Sequence, residues 1–501
     1  MKRKSTSRDL SYLALPELTE GSAEELTEPV YERIASRLRE LIFSQEIVLG
    51  DSLPSLRTVA AKLSVSVDTV RRAYFILIDE GIVESKIGSG FKVVGLPPKE
   101  KLLYREEGAA QNRVKPKQTE SLRLCGKTLS YFRSDHYQTR PFLYFGETIE
   151  LAKDRKWNSI VSQLNRMTWH HAGYSNPQGS VQLREAIAET LLQNRGIEAD
   201  AENVVITTGT VQSLNLLSSV LLSPSDTIVL EKPSPNLVPA VFAFHKIRTS
   251  FIPVLSDGLD VEKLADCEDC QALFTVSSNQ IPMSVCTSLE KRKQMLTWAQ
   301  QKGKWIFENG MEDLFWSGNR IPAITALDRL GGNTIFLDSV TLLFFPGIRI
   351  GYIAAPKEIA KVLAGAKLLL DRTTSTKGQD YLGQYMQSDS FEVYLRKLNK
   401  IFVQRRDLLK ELLETELSEF GLVSESRCGC HLTFTLTKEG VSDKDVKLLL
   451  EKRGITCRVL SEFPGEAGTN GLVLGFALFQ SEELKTAISE LKQVLRRLYA
   501  Q

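Results

Sequence analysis

Apolar residues recur at helical spacing in three short runs between Pro29 and Glu80, and two strand-like stretches follow. Val30, Ile34, Leu38 and Leu41 give the stripe of a first helix that begins at Pro29 and ends near Gln45. Pro54-Ser55 opens a second, with Ser55 as N-cap, and Leu63 closes it. After the turn Ser64-Val65-Ser66, Ser66 caps a third helix that runs to Glu80, where Gly81 supplies the stop. Val70, Ala73, Tyr74 and Leu77 stand at i, i+3, i+4 and i+7 and predict its buried face. That leaves Val67, Asp68, Arg71, Arg72 and Phe75 outward. Ile82 to Ser85 and Phe91 to Val94 read as strands around the tip Lys86-Ile87-Gly88-Ser89-Gly90, which needs glycine geometry. The pattern over 29–95 is a helix-turn-helix with a wing.

Further along, the periodicity changes. Residues 1–28 are polar and read as a flexible tail, and 96–139, opening on Leu96-Pro97-Pro98, read as a linker. From about Arg140, strand and helix patterns alternate, which predicts an α/β domain over 140–372. Its strands are expected at Val204 to Ile206, Thr227 to Leu230, Leu273 to Val276, Trp305 to Glu308, Thr334 to Asp338 and Ile348 to Ala355. Over 373–501 a long charged helix (Ser390 to Leu417), strands near His431 to Leu436 and Gly471 to Phe476, and a closing helix (Ser481 to Leu498) predict a smaller α+β domain.

Composition narrows the function. The net charge of the 501 residues is only +2, so any nucleic-acid contact comes from local patches rather than bulk charge. No long uncharged apolar run and no apolar leader segment are present, which points away from a membrane span or a secretory signal. Seven cysteines without a regular framework fit a reducing cytoplasm. Cys267-Glu268-Asp269-Cys270, lacking a second pair, reads as an acidic loop and not a metal site.

The winged segment carries the first candidate chemistry. A recognition helix lays its first turns into the major groove, where Arg pairs guanine edges. Ser66, Thr69, Arg71 and Arg72 are placed for groove or phosphate contact. Ser55 and Arg57 on the preceding helix, and Lys86 and Ser89 in the wing, are placed for backbone phosphates. The residues P-S-L-R, L-S-V-S-V-D-T-V-R-R-A-Y and S-K-I-G-S-G resemble the GntR-type winged helix. Where that family often has Arg directly after the Ser of the turn, this chain has Val67, so a different base readout is expected.

The second constellation begins at Tyr174-Ser175-Asn176-Pro177-Gln178-Gly179 and Leu183-Arg184-Glu185-Ala186-Ile187. It continues through Ile206-Thr207-Thr208-Gly209-Thr210-Val211-Gln212 to Phe345-Pro346-Gly347-Ile348-Arg349-Ile350-Gly351-Tyr352. In this order the motifs resemble the type I aminotransferase fold, and the fusion to a winged helix resembles the MocR-type regulators, a branch of the GntR family. The resemblance implies an operator-binding regulator that is a head-to-tail homodimer, with a body that senses a small-molecule effector. It also implies a pyridoxal phosphate (PLP) site. The phosphate side of that site is kept at Thr208, Gly209, Thr210, Ser339, Thr341 and Arg349, with Gln280 nearby, and Arg349 is expected in an apolar strand against a buried anion. The chemical side is altered. The position of the Schiff-base lysine, seven before Arg349, is Leu342, and the Asp that pairs the pyridine nitrogen is Asn309. The Tyr two residues on is Met311, the ring-stacking aromatic is Pro235, and the carboxylate-clamping Arg is Val473. Without the lysine no internal aldimine forms, so neither covalently bound PLP nor transamination is expected. The alternative is a PLP-dependent enzyme with a fused DNA-binding head.

Overall fold

The computed structural model describes residues 29–44, 46–86, 90–95, 120–129, 141–143, 151, 153–166, 173–311, 315–465 and 469–500. The chain divides into two compact units, Met1–Lys117 and Gln118–Gln501. The expected tail 1–28, most of the expected linker, and Ser89 at the wing tip lie outside the described residues.

In the first unit α1 (Val30–Phe43), α2 (Leu56–Leu63) and α3 (Val67–Asp79) close over a core of Ile34, Leu38, Leu41, Val59, Leu63, Val70, Tyr74 and Leu77. The helix ends are written in the sequence. Ser55 accepts the Thr58 N–H at 3.2 Å, Ser66 accepts the Thr69 N–H at 3.0 Å, and Ser64 takes the left-handed turn between them. The wing is a three-stranded antiparallel sheet in the order β1 (Ser52–Leu53), β3 (Gly90–Val93), β2 (Val83–Lys86). Strand β1 carries no sequence signal of its own. Lys86 pairs with Gly90, so it closes a strand and does not belong to the tip.

The second unit is built on an eight-stranded sheet. Its strands are β4 (Val204–Thr207), β5 (Thr227–Lys232), β6 (Arg248–Leu255), β7 (Gly258–Leu259), β8 (Cys270–Thr275), β9 (Trp305–Asn309), β10 (Thr334–Ser339) and β11 (Gly351–Ala354). The order is β4-β11-β10-β9-β8-β5-β6-β7. The central pairs are parallel, β11 runs antiparallel to both β4 and β10, and β7 turns back along β6. Strands β4, β8 and β9 are buried almost throughout, because helices cover both faces of a mostly parallel sheet. Glu120–Leu129, within the stretch read as linker, is a helix, α4, that packs on this unit. The further helices used below are α5 (Arg155–Arg166), α6 (Val181–Arg195), α7 (Thr210–Leu221) and α8 (Leu237–Phe244). They are followed by α9 (Leu289–Lys302), α10 (Ile324–Asp328) and α11 (Lys357–Leu370). Cys270 opens β8 and is buried, and burial pushes its thiol up to about 12, so this end of the C-x-x-C is sheet and not surface loop.

Towards the C-terminus α12 (Thr376–Met386), α13 (Asp389–Glu416), α14 (Asp443–Glu451) and α15 (Ser481–Tyr499) accompany a four-stranded antiparallel sheet. Its order is β12 (Gly421–Val423), β13 (His431–Leu436), β15 (Gly471–Gly475), β14 (Arg458–Val459). The α+β pattern expected here is present.

Candidate functional site

In an open α/β sheet, loops leaving the carboxyl ends of the strands converge on one edge, which is where such sheets take ligands. Thr208, Gly209, Asn309 and Ser339 all stand at such ends, after β4, at the end of β9 and at the end of β10. Gly209 has φ 126 and caps α7. The first-turn N–H groups of any helix lack intrahelical acceptors and attract anions. A side chain at position 209 would stand 3.4 Å from Arg349 Nη2, so the guanidinium lies against this helix start. Gly351 lets β11 approach, since a Cβ there would meet Gly209 Cα at 2.6 Å.

Arg349 is not in a strand. Pro346–Ile348 form a 3-10 turn that ends on Arg349 at φ 51, and β11 begins only at Gly351. Arg349 is exposed there and not set in an apolar strand as expected. Ser339 and Thr341 are half-buried on either side of Val340. Leu342 ends a separate 3-10 turn, Val340–Leu342, is 9 % exposed and joins the apolar cluster with Leu343, Phe344 and Ile350.

Three residues named from sequence have other occupations. Gln280 donates from Nε2 to the carbonyls of Pro233 and Ile281, both at 2.8 Å, and its Oε1 accepts the Met283 N–H at 3.0 Å. It braces two loops and has little left for a ligand. Asn309 is buried, and its Oδ1 accepts the Met311 N–H at 3.0 Å. Thr208 also has its N–H taken, by Gln212 Oε1 at 2.8 Å.

The structure adds groups that sequence motifs did not isolate. The Gln212 amide donates to Asp371 Oδ2, and Lys367 Nζ sits 3.4 Å from Asp371 Oδ1. Lys367 is fully buried. That burial pulls its ammonium below the usual lysine range, with Asp371 opposing the shift. Beneath Ser339, Asp338 takes the Ser339 N–H at 2.6 Å and faces Arg195 at 3.4 Å and the Tyr352 hydroxyl at 3.5 Å. Glu231, wholly buried within β5, accepts from the Thr275 hydroxyl at 2.5 Å and from the Val276 N–H, and burial pushes its carboxyl up to about 7. The one signal available for these was a charged residue inside an apolar strand, and Glu231, Glu308 and Asp338 all meet it.

In the first unit the exposed side of α3 carries Val67, Asp68, Arg71, Arg72 and Phe75, as the periodicity requires. Asp68 holds Arg71 Nη1 at 3.0 Å on one oxygen and Arg72 Nε at 3.2 Å on the other. The hydroxyls of Ser66 and Thr69 are paired at 2.7 Å, and those of Ser55 and Thr58 at 2.6 Å. Arg57 is exposed on α2.

The profile described as "Bacterial regulatory proteins, gntR family" matches residues 30–93, and that described as "Aminotransferase class I and II" matches residues 152–491. The chain therefore belongs to the class I and II aminotransferase family, with a GntR winged helix at its head. This is the organisation of the MocR-type regulators, and the protein is a DNA-binding transcriptional regulator with an aminotransferase-like domain. It is similar to a protein of Rhizobium meliloti called "Probable rhizopine catabolism regulatory protein MocR", at 24 % identity over 94 % of both chains. It is also similar to the "HTH-type pyridoxine biosynthesis transcriptional regulator PdxR" of Corynebacterium glutamicum, at 26 % identity over 92 % of this chain and 95 % of that one. Among solved structures, the α-aminoadipate aminotransferase LysN of Thermus thermophilus superposes with TM-score 0.67 at 22 % identity, over 76 % of this chain and 96 % of that one. That likeness is one of fold.

The residues fit the coenzyme of that fold on one side only. A phosphate has a helix start and Arg349 to meet. At the two positions that the resemblance assigns to the ring stand an aliphatic, buried Leu342 and an Asn309 whose oxygen is already committed.

Proposed function

We propose that this chain regulates transcription as a cytoplasmic head-to-tail homodimer. Its winged helix holds the operator through Ser55, Arg57, Ser66, Thr69, Arg71, Arg72, Lys86 and Ser89. Its aminotransferase-shaped body catalyses no amino transfer. The boundaries that go with this reading are a winged head over 29–95, a connecting segment to 139 that contains α4, a large body domain to 372 and a small one to 501. What carries it is Leu342, an aliphatic side chain packed into the core, at the position where the family resemblance sets the covalent anchor. A hydrocarbon forms no imine, and the triad-like partners of a lost nucleophile do not replace it. The start of α7, with Thr210 as its first residue, together with Arg349, Ser339 and Thr341, holds a phosphate-bearing or other anionic effector non-covalently. Such an effector regulates only if it binds two arrangements of the dimer unequally.

Two measurements test this reading. Protein incubated with PLP and then borohydride is expected to carry no pyridoxyl-lysine by mass spectrometry and to move no amino groups. A single labelled lysine with turnover would restore the enzyme reading. In gel shifts the full chain is expected to form a salt-sensitive, sequence-selective complex with the DNA upstream of its own gene. Arg72→Ala should weaken binding to all duplexes alike and lower the slope of log affinity against log salt by about 1. An unchanged slope would remove α3 from the interface.

A further inference from the structure

The face that α3 offers to solvent begins with a side chain that makes no hydrogen bond. Val67 is the first helical residue and is 37 % exposed. The first turn of a groove-reading helix is the part that meets base edges. Around Val67 the polar groups are engaged within the helix. Ser66 Oγ takes the Thr69 N–H at 3.0 Å and shares a hydrogen bond with Thr69 Oγ1. Both oxygens of Asp68 are occupied, one by Arg71 at 3.0 Å and one by Arg72 at 3.2 Å. The two cations therefore sit a turn further along, tied to one carboxylate and 50 % and 65 % exposed, where phosphates can take them over. No cation stands at the first turn to pair with guanine.

On the major-groove edge the one apolar feature that distinguishes a base pair is the 5-methyl group of thymine. We propose that Val67 is the specificity-determining residue of the DNA-binding head and that it reads this methyl group by van der Waals contact. This rests on the reading that α3 enters the groove. The methyl contact removes about one methylene's worth of apolar surface from water, which corresponds to roughly a fourfold difference in affinity.

The test uses the full chain. Duplexes are selected from a pool with a randomised centre, and each thymine of the selected site is then replaced singly by deoxyuridine, which lacks only the methyl group. The expected result is one thymine per half-site at which the replacement weakens binding about fourfold. Val67→Ser is expected to bind the thymine and uracil duplexes equally, and Val67→Ile to keep the preference. If no thymine is methyl-sensitive, or if Val67→Ser keeps the sensitivity, the assignment is wrong. A pool that yields no selected duplex overturns the groove reading itself, and this assignment with it.

Discussion

Tyr74→Ala is expected to abolish DNA binding while leaving the body of the protein folded. Tyr74 is fully buried at the centre of the winged unit, packs edge-on against Phe91 with ring centroids 4.9 Å apart, and donates its hydroxyl to the Pro54 carbonyl at 3.0 Å. It thus ties α3 to the start of α2 and to the wing. Truncating a buried aromatic costs about 3–5 kcal/mol. A module of this size holds about 3–10 kcal/mol in total, so the substitution consumes a large share of its stability. All five tryptophans, Trp157, Trp169, Trp298, Trp305 and Trp316, fall after residue 117, so tryptophan fluorescence reports only the second unit. The urea midpoint by fluorescence should match that of the wild type while the gel shift disappears. A variant that still binds its duplex would show that the core assignment of Tyr74 is mistaken.

The reverse effect is expected from Glu308→Ala, which should unfold the second unit first. Glu308 is 1 % exposed at the end of β9. Its Oε1 accepts from Ser277 Oγ at 2.6 Å and Ile324 N at 2.9 Å, and its Oε2 from Thr325 N at 2.8 Å and Thr325 Oγ1 at 2.9 Å. The carboxylate therefore joins the end of β8 to the start of α10, beside Asn309. Removing it leaves two backbone N–H groups and two hydroxyls without an acceptor. The hydroxyls can rotate to other partners and the backbone cannot, so the loss is about 3–5 kcal/mol. Glu308→Gln keeps one oxygen but turns an amide N–H towards a backbone donor, and should fall between the two. The fluorescence midpoint should drop for both variants, most for alanine. No change for alanine would mean that those donors have other acceptors.

How far the fold could be read from sequence depended on how local each signal was. The caps Ser55 and Ser66, the stripe of Val70, Ala73, Tyr74 and Leu77, and the stop at Gly81 each act within a few residues, and they placed α2 and α3 almost to the residue. The buried runs that became β4, β8, β9 and β10 were equally visible. Strand β6 was not, because only one of its eight residues is buried and RTSFIPVL has no clean alternation. Arg349 was misplaced because Pro346-Gly347 imposes a turn that delays the strand. Gln280 was placed beside the phosphate-side residues, yet one of its hydrogen bonds runs to Pro233, a residue far off in sequence that no local pattern connects to it. The ring side of the candidate site was legible as substitutions, Leu342 and Asn309, since a missing amine or carboxylate needs no geometry to be noticed. The link from Gln212 through Asp371 to Lys367 needed the fold, because Gln212 lies on α7 while Lys367 and Asp371 stand at the end of α11.

The position of β11 has a consequence for how the protein is made. Among the described residues strand β4 pairs only with β11, the stretch Gly351–Ala354, so Val204 waits for Ala354. During synthesis β4 is an unpaired apolar edge until the ribosome has moved well past residue 354, and non-local pairing of this kind is slow and prone to aggregation. Nascent chains that stall before that point should be strong clients for chaperones. The winged head is complete by Gly95, so it emerges able to fold long before the body can.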